Sequence, residues 1–218
     1  MKDVYDYARY FIKNGYDTNP NTFDANMKLQ KLLVFADLIN LAKYNKPLFN
    51  DEIMAFQNGC VVEKVRKRYK YDYHGFKEES ERYNPDFTIE EYDTLSETAA
   101  IFGKLSAREL SELNHGFEFW KDSFSNSEVY SGYYDQSASV VSLESIKKEL
   151  PKIQVVLDSY NESKQSCMQQ ETINGITFFY EPGTIEIDDV TEQLYMFSTH
   201  AEDEAYTVFV EEGELVIY

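Results

Sequence analysis

Cys60, Asn114 and His115 are the residues of this 218-residue chain whose types could support nucleophilic catalysis. An imidazole beside a thiol can remove its proton and create a reactive thiolate. No spacing rule connects Cys60 with His115, however. A small buried cysteine, and a histidine that holds backbone groups at a turn, explain the same residues without chemistry. We therefore expect no catalytic residues, and we expect that the chain is not an enzyme.

Metal and cofactor sites are also not expected from the sequence. The three histidines and two cysteines, His74, His115, His200, Cys60 and Cys167, are scattered singly, whereas metal sites need clustered ligands. Neither a Gly-rich phosphate loop nor a G-x-S-x-G motif occurs. The acidic clusters lack the pattern of a calcium-binding EF-hand loop.

Negative charge in the last quarter of the chain is its most pronounced chemical feature. Residues 166–218 contain twelve Asp and Glu and no Lys or Arg, so they supply −12 of the formal net charge of −18. Such charge repels phosphate backbones and attracts basic protein surfaces. It can be a solvated face, or it can dock a basic partner and cover its active site. The candidate residues for binding such a partner are Asp188, Asp189, Glu202, Asp203, Glu204, Glu211 and Glu212.

A basic cluster at residues 64–70 is flanked by Tyr69, Tyr71 and Tyr73. It could bind a nucleic-acid backbone. In a chain of net charge −18, we favour the interpretation that these bases pair with the chain's own acids, or hold the acidic segment against the rest of the molecule. We therefore expect no direct contact with nucleic acid.

Hydrophobic spacing predicts that the first three quarters of the chain are mainly helical. Between about Ala25 and Tyr44, the apolar residues cover well over half of the helix circumference, which predicts a central helix packed on several sides. Other helices are predicted over 2–14, 61–69, 88–102, from Ser106 to about 113, and after Ser142 with a kink or restart at Pro151. Residues 71–88 and 123–139 are predicted to be loop or irregular.

After about residue 164 the hydrophobic period changes to two. Asn174-Gly175 predicts a hairpin, and Gly213 is expected to turn the last pair of strands. Strands are predicted at 176–180, 184–187, 194–198, 205–211 and 214–218. The fold class is therefore α+β, with a helical domain at residues 1–164, a polar linker near 161–170 and a small antiparallel β unit at 171–218.

The N-terminus and the apolar stretches predict a cytoplasmic protein. The start, Met1–Asp6, is polar and lacks the apolar core of a signal peptide. The most apolar stretch, residues 29–42, contains four polar residues and is too short to span a bilayer. We expect two reduced thiols and no membrane contact. Homo-oligomerisation is left open.

Four segments resemble the Panacea domain, also called the SocA-like antitoxin domain. The helix motif Met27–Ala36 is followed by residues 46–62, then 105–111, then 114–120, in the family's order. The resemblance covers about residues 2–125. It departs from the usual pattern at four positions, with Phe56 for Trp, Cys60 for Pro, Asn114 for Thr and Phe119 for Pro.

The resemblance implies an antitoxin of a bacterial or prophage toxin–antitoxin system. Members of this family are often encoded beside a small toxin, which they neutralise by direct binding, and no catalytic residues are established for the domain as a class. The expected partner is a cognate protein toxin, and the charge argument predicts that its surface is basic. Two alternatives stay open: an adaptor that delivers a partner to a protease, and an enzyme or phage-encoded regulator of a host protein.

Overall fold

The computed structural model describes residues 2–211 and 214–218, and the side chains of all of these except residues 165–167. The candidate residue Glu212, the turn expected at Gly213 and the thiol of Cys167 therefore lie outside the described residues. The chain divides into two compact units, Met1–Val156 (unit 1) and Leu157–Tyr218 (unit 2). Within the described part of the chain, no helix has the length and apolar character needed to cross a membrane.

Unit 1 is mainly helical. Its helices are α1 (Val4–Lys13), α2 (Phe23–Tyr44), α3 (Glu63–Tyr71), α4 (Tyr73–Arg82), α5 (Ile89–Phe102), α6 (Ala107–His115), α7 (Glu118–Ser127) and the first part of α8 (Leu143–Cys167). Two antiparallel hairpins join them, β1 (Ile53–Phe56) with β2 (Gly59–Val62), and β3 (Glu128–Tyr130) with β4 (Tyr133–Tyr134). A short 3-10 helix, Gln136–Ser139, precedes α8, which continues without a break through Pro151.

Helix α2 is the centre of unit 1, as the sequence predicts. The Thr22 side chain caps it by accepting a hydrogen bond from the Ala25 backbone N–H, and Asn45 ends it in the left-handed conformation. Every residue from Lys28 to Leu41 is buried. The helix contacts α1, α3, α5, α6 and β2, so it presents no solvent-facing side along this stretch.

The prediction of loop over residues 71–88 is wrong, because α4 occupies much of this segment. Its buried residues are Tyr73, Phe76 and Ser80, and it packs against α1. The carboxylate of Glu79 accepts hydrogen bonds from the guanidinium groups of Arg9, at 3.0 Å, and Arg68, at 2.7 Å. An isolated ten-residue helix is marginal in water, so this packing, and not local propensity, stabilises α4.

Two shorter predictions in unit 1 are also wrong. Val61 and Val62, expected to begin a helix, end strand β2, where Val62 pairs with Ile53. Residues 123–139, expected to be irregular, contain the end of α7 and hairpin β3–β4, in which Gly132 has a φ of 79°. Hairpin strands this short carry little period-two pattern, so the sequence gives weak evidence for them.

Unit 2 is a four-stranded sheet with one crossover helix. Its strands are β5 (Gln169–Ile173), β6 (Ile176–Tyr180), β7 (Ala205–Glu211) and β8 (Glu214–Ile217), arranged in the order β5-β6-β7-β8. The hairpin predicted at Asn174-Gly175 is confirmed, and both residues have positive φ angles. Strands β6 and β7 are parallel, and α9 (Ile187–Ser198) connects them, since parallel neighbours need a crossover.

The strands predicted at 184–187 and 194–198 are wrong: residues 184–186 form a turn and the segment before α9, and residues 187–198 are α9. Ile187, Val190, Leu194 and Phe197 recur every three or four residues and pack with Phe178 of the sheet. The side chains of Leu194 and Phe178 are fully buried. The α+β fold class is confirmed. Within unit 2, the pairs β5–β6 and β7–β8 are antiparallel as predicted, and the pair β6–β7 is not.

The packing of α9 can be tested with Leu194→Ala. We expect this change to lower the free energy of unfolding of unit 2 by about 2–5 kcal/mol, because it removes a fully buried side chain. Met196→Ala on the same helix, where the side chain is 61% exposed, is the matched control and should cost less than about 0.5 kcal/mol. Denaturant-dependent hydrogen exchange of the β6 and β7 amides measures both. Equal losses in the two variants would contradict the packing.

Candidate functional site

The first candidate site in unit 1 is the turn of hairpin β1–β2. Gln57 and Asn58 form the turn, and Gly59 follows with a φ of 88°. A Cβ atom on Gly59 would lie 2.6 Å from Asn114 Oδ1 and 2.9 Å from Lys31 Nζ. Only glycine therefore fits, both for its backbone conformation and for the close approach of these two side chains.

Polar side chains of α2 hold the second strand of this hairpin. Gln30 Oε1 accepts a hydrogen bond from the Val62 backbone N–H at 3.0 Å, and Lys31 Nζ donates to the Cys60 carbonyl oxygen at 2.8 Å. Gln30 and Lys31 are almost completely buried. Buried polar groups need such partners, and here the partners are backbone groups that face away from the β1–β2 ladder.

Helices α6 and α7 hold the other side of the hairpin. Ser111 Oγ donates to the Asn58 carbonyl oxygen, and Trp120 Nε1 donates to the Phe56 carbonyl oxygen, both at 2.9 Å. The His115 ring stacks on Trp120 with 3.9 Å between the ring centroids. The hairpin is thus fixed by side chains from α2 and from the consecutive helices α6 and α7, which lie far from α2 in sequence.

Two of the departures from the Panacea pattern, Cys60 and Asn114, form a hydrogen-bonded pair. The Cys60 backbone N–H donates to Asn114 Oδ1 at 2.5 Å, and both residues are fully buried. A proline at position 60 would have no N–H to donate. The cysteine therefore introduces a buried donor, and the asparagine supplies its acceptor. Sequence inspection finds both departures but cannot show that they meet.

The environment of Cys60 and His115 disfavours thiolate chemistry. Complete burial raises the pKa of the Cys60 thiol to about 12, whereas nucleophilic cysteines have lowered pKa values. Burial, and then the charge of Lys31, lower the pKa of His115, which favours the neutral imidazole. A protonated, buried thiol and a neutral ring that stacks on Trp120 are suited to packing.

Two buried charges on α2 are shifted in opposite directions. Desolvation lowers the pKa of Lys31 to about 8 and raises the pKa of Asp37 to about 7. The backbone N–H groups of Leu48 and Phe49 partly offset the shift of Asp37, and the Leu48 N–H donates to Asp37 Oδ1 at 2.7 Å. Asp37 thereby fixes the segment that leads into hairpin β1–β2.

A cleft of about 460 Å³ opens beside the hairpin turn. The start of α2, the turn and α3 surround it, and Lys31, Arg66 and Lys70 are the cationic residues of its lining. No acidic residue contributes to the lining among the residues that the structure describes. The sequence indicated a basic cluster at 64–70, but it did not indicate that Lys31 joins it.

An aromatic stack runs from Trp120, beside hairpin β1–β2, to the surface of unit 1. Trp120 stacks on Phe124, and Phe124 on Tyr134, with centroid distances of 5.4 and 4.9 Å. The stack reaches hairpin β3–β4, where Tyr130 and Tyr133 are 63% and 59% exposed. Exposed tyrosines are typical of protein-binding surfaces. The sequence did not indicate this surface, because residues 123–139 are typical of irregular structure.

The six acidic candidate residues that the structure describes in unit 2 are exposed and fall into two groups. Asp188 and Asp189 lie in the first turn of α9, where the helix dipole favours anions, and Glu211 ends β7. Since β6 and β7 are parallel, these residues lie toward the carboxyl edge of that pair. Residues 202–204 precede β7 and lie toward the opposite edge. The structure therefore does not place the candidate residues in one patch.

Ion pairs are numerous between residues 2 and 152, whereas the candidate acids at 188, 189, 202–204 and 211 form none with the residues that the structure describes. The basic cluster of α3 pairs locally. Lys64 contacts Asp3 and Asp51, Arg66 and Lys67 contact Glu63, and Arg68 contacts Asp72 and Glu79. The prediction that these bases pair with the chain's own acids is confirmed for these four residues.

The Cys60–Asn114 hydrogen bond leads to a stability prediction. Asn114→Ala should lower the free energy of unfolding by about 1–3 kcal/mol, because the buried Cys60 N–H loses its acceptor. Asn126→Ala, at an exposed position of α7, is the control and should change it by less than about 0.5 kcal/mol. Urea unfolding monitored by Trp120 fluorescence measures both. An unchanged midpoint for Asn114→Ala would contradict the role assigned to this pair.

Asp37 predicts a pH dependence of stability. Its pKa is about 7 in the folded protein and about 3.9 when unfolded, so between these values the folded state binds more protons. This group therefore makes the free energy of unfolding decrease as pH rises from 4 to 7, by at most about 1.4 kcal/mol per pH unit. Asp37→Asn should remove that contribution, whereas Asp24→Asn, at an exposed position, should not. Urea unfolding between pH 5 and pH 8 gives the slopes, and parallel slopes for wild type and Asp37→Asn would refute the assignment.

Comparison with known proteins finds a family match for the segment that contains hairpin β1–β2 and the side chains that hold it. No curated protein and no solved structure matches the chain. Residues 29–121 match the family model described as "Antitoxin SocA-like, Panacea domain". This range contains α2 from Leu29 onward and all the side chains that hold hairpin β1–β2. The resemblance predicted from the sequence is thus confirmed over these residues, which are similar to the SocA-like Panacea domain.

Proposed function

We propose that this chain is an antitoxin that neutralises a cognate protein toxin by direct binding, without catalysis of its own. The Panacea domain supports an antitoxin-type role. The domain match ends at residue 121, before the acidic unit. The assignment of toxin binding to unit 2 is therefore our own, and it is based on the charge and exposure of that unit.

The observation that carries the proposal is the exposed negative charge of the candidate carboxylates between Asp188 and Glu211. The candidate carboxylates at 188, 189, 202–204 and 211 are exposed, and none forms an ion pair with Lys or Arg in the described part of the chain. Closely spaced like charges repel one another, and a basic surface that covers them relieves this repulsion. Complementary charge also accelerates association.

The partner that fits this surface is a small basic protein. Toxins that act on RNA, ribosomes or nucleotides need positive surfaces to bind their targets. An acidic antitoxin could cover such a surface sterically and electrostatically. Because the acidic residues lie toward two edges of the β6–β7 pair, we expect one edge to contribute more to toxin binding than the other.

Three triple variants test this prediction with equal changes in charge. The first is Asp188→Asn, Asp189→Asn and Glu211→Gln, and the second is Glu202→Gln, Asp203→Asn and Glu204→Gln. The control neutralises three exposed acids of unit 1: Asp24→Asn, Glu52→Gln and Asp122→Asn. We expect at least one unit 2 variant to weaken toxin binding on the order of tenfold at low salt, mainly through slower association, while the control changes it less than twofold.

The measurement uses the purified product of the neighbouring reading frame and growth rescue on co-expression. Full protection and unchanged affinity for both unit 2 variants would exclude unit 2 as the binding surface. The same co-expression distinguishes the alternatives. Under occlusion the level of the partner stays constant, whereas an adaptor would lower it in a way that depends on a protease. A regulator of a host protein would bind that host protein and not the neighbouring product.

A further inference from the structure

The cleft beside the β1–β2 turn has features that toxin binding through unit 2 does not use. It encloses about 460 Å³, which lies in the range of small-molecule sites. Its lining combines apolar side chains, including Phe23, Met27 and Phe56, with the cationic residues Lys31, Arg66 and Lys70. None of the residues proposed for toxin binding belongs to this lining.

Lys31 is the first observation that indicates an anionic ligand. Its side chain is completely buried and lines the cleft. Its Nζ atom donates to the Cys60 carbonyl oxygen at 2.8 Å, and no carboxylate lies within ion-pair distance of it among the described residues. A buried ammonium without a counter-charge is unfavourable. An anion in the cleft would supply that charge.

Lys70 and the start of α2 add positive charge to the lining. Lys70 is exposed and forms no ion pair in the described part of the chain, while the charge of Arg66 is balanced by Glu63. The N-terminal end of the 22-residue helix α2, at Thr22 and Phe23, also faces the cleft, and its dipole adds partial positive charge. In a protein of net charge −18, this is a local site that favours anions.

The apolar part of the lining defines the rest of the ligand. Phe23 is 69% exposed, although it begins the central helix. Phe56 is half-buried, and the Arg66 guanidinium lies 5.4 Å from the centroid of its ring. Flat apolar groups stack favourably on such side chains. We propose that this cleft binds a small organic anion, in which an oxyanion group that contacts the exposed Lys70, and is attracted by the charge of the buried Lys31, is carried on a flat apolar body.

Amide chemical-shift titrations of the full chain test the proposal with defined probes. Phenyl phosphate and N-acetylphenylalanine each combine an oxyanion with a ring, whereas inorganic phosphate and benzyl alcohol provide only one of the two parts. We expect saturable shifts of the Phe23, Asn58 and Gly59 amides with at least one of the combined probes. Each single-part probe should bind at least fivefold more weakly.

Matched variants on α3 identify the cation. Lys70→Gln should weaken binding at least threefold, and Lys67→Gln, which removes the same charge outside the lining, should not. Lys31→Met should weaken it at least tenfold. Lys31 also holds the hairpin, so Lys31→Met could fail to fold. In that case the comparison of Lys70→Gln with Lys67→Gln still decides the test.

The relative affinities of the two combined probes identify the source of the oxyanion. Tighter binding of phenyl phosphate supports a phosphate ester as the ligand. Tighter binding of N-acetylphenylalanine supports a carboxylate, such as that of a peptide C-terminus. The proposal is overturned by absence of saturable shifts at the cleft with both probes, by equal binding of benzyl alcohol, or by equal losses in Lys70→Gln and Lys67→Gln.

Discussion

The fold of unit 1 depends on the satisfaction of polar groups inside its central helix. Helix α2 is buried on all sides between Lys28 and Leu41, yet this stretch contains Gln30, Lys31 and Asp37. Such groups are tolerated in a core only when they have partners. Their partners are backbone groups of β2 and of the segment before β1. The hydrogen-bonding needs of α2 therefore place the hairpin, and the hairpin in turn forms one wall of the cleft.

Because polar groups of α2 need buried partners, Lys31 both holds the hairpin and contributes to the cleft. Lys31 stabilises the hairpin through the Cys60 carbonyl oxygen, and its burial leaves a positive charge beside a cavity. The thiol of Cys60 is embedded in the same region and has a raised pKa. Cys60 and His115, whose types suggest a catalytic pair in the sequence, thus have a structural role in the core. The feature that indicates a ligand is instead Lys31, which belongs to the Met27–Ala36 motif on α2 and is buried beside the cleft.

Unit 2 follows a different principle, in which charge is kept at the surface and the core is small. Phe178, Leu194 and Val208 belong to its buried centre, and the candidate carboxylates that the structure describes are exposed at or near the ends of α9 and β7. Parallel pairing of β6 with β7 separates these carboxylates into two groups. Charge density alone predicts attraction to a basic partner. The sheet topology decides which carboxylates lie close enough to one another to contact the same surface of that partner.

The sequence by itself determined the properties that add up along the chain. These are the charge of residues 166–218, the central helix, the Asn174-Gly175 hairpin and the Panacea motif, because composition, hydrophobic period and turn chemistry are local. Helix α4, the crossover helix α9, the Cys60–Asn114 hydrogen bond and the pKa shifts of Lys31 and Asp37 were decided only by the tertiary structure. Each of them depends on contacts between segments far apart in sequence, where packing and desolvation select one of several locally acceptable conformations.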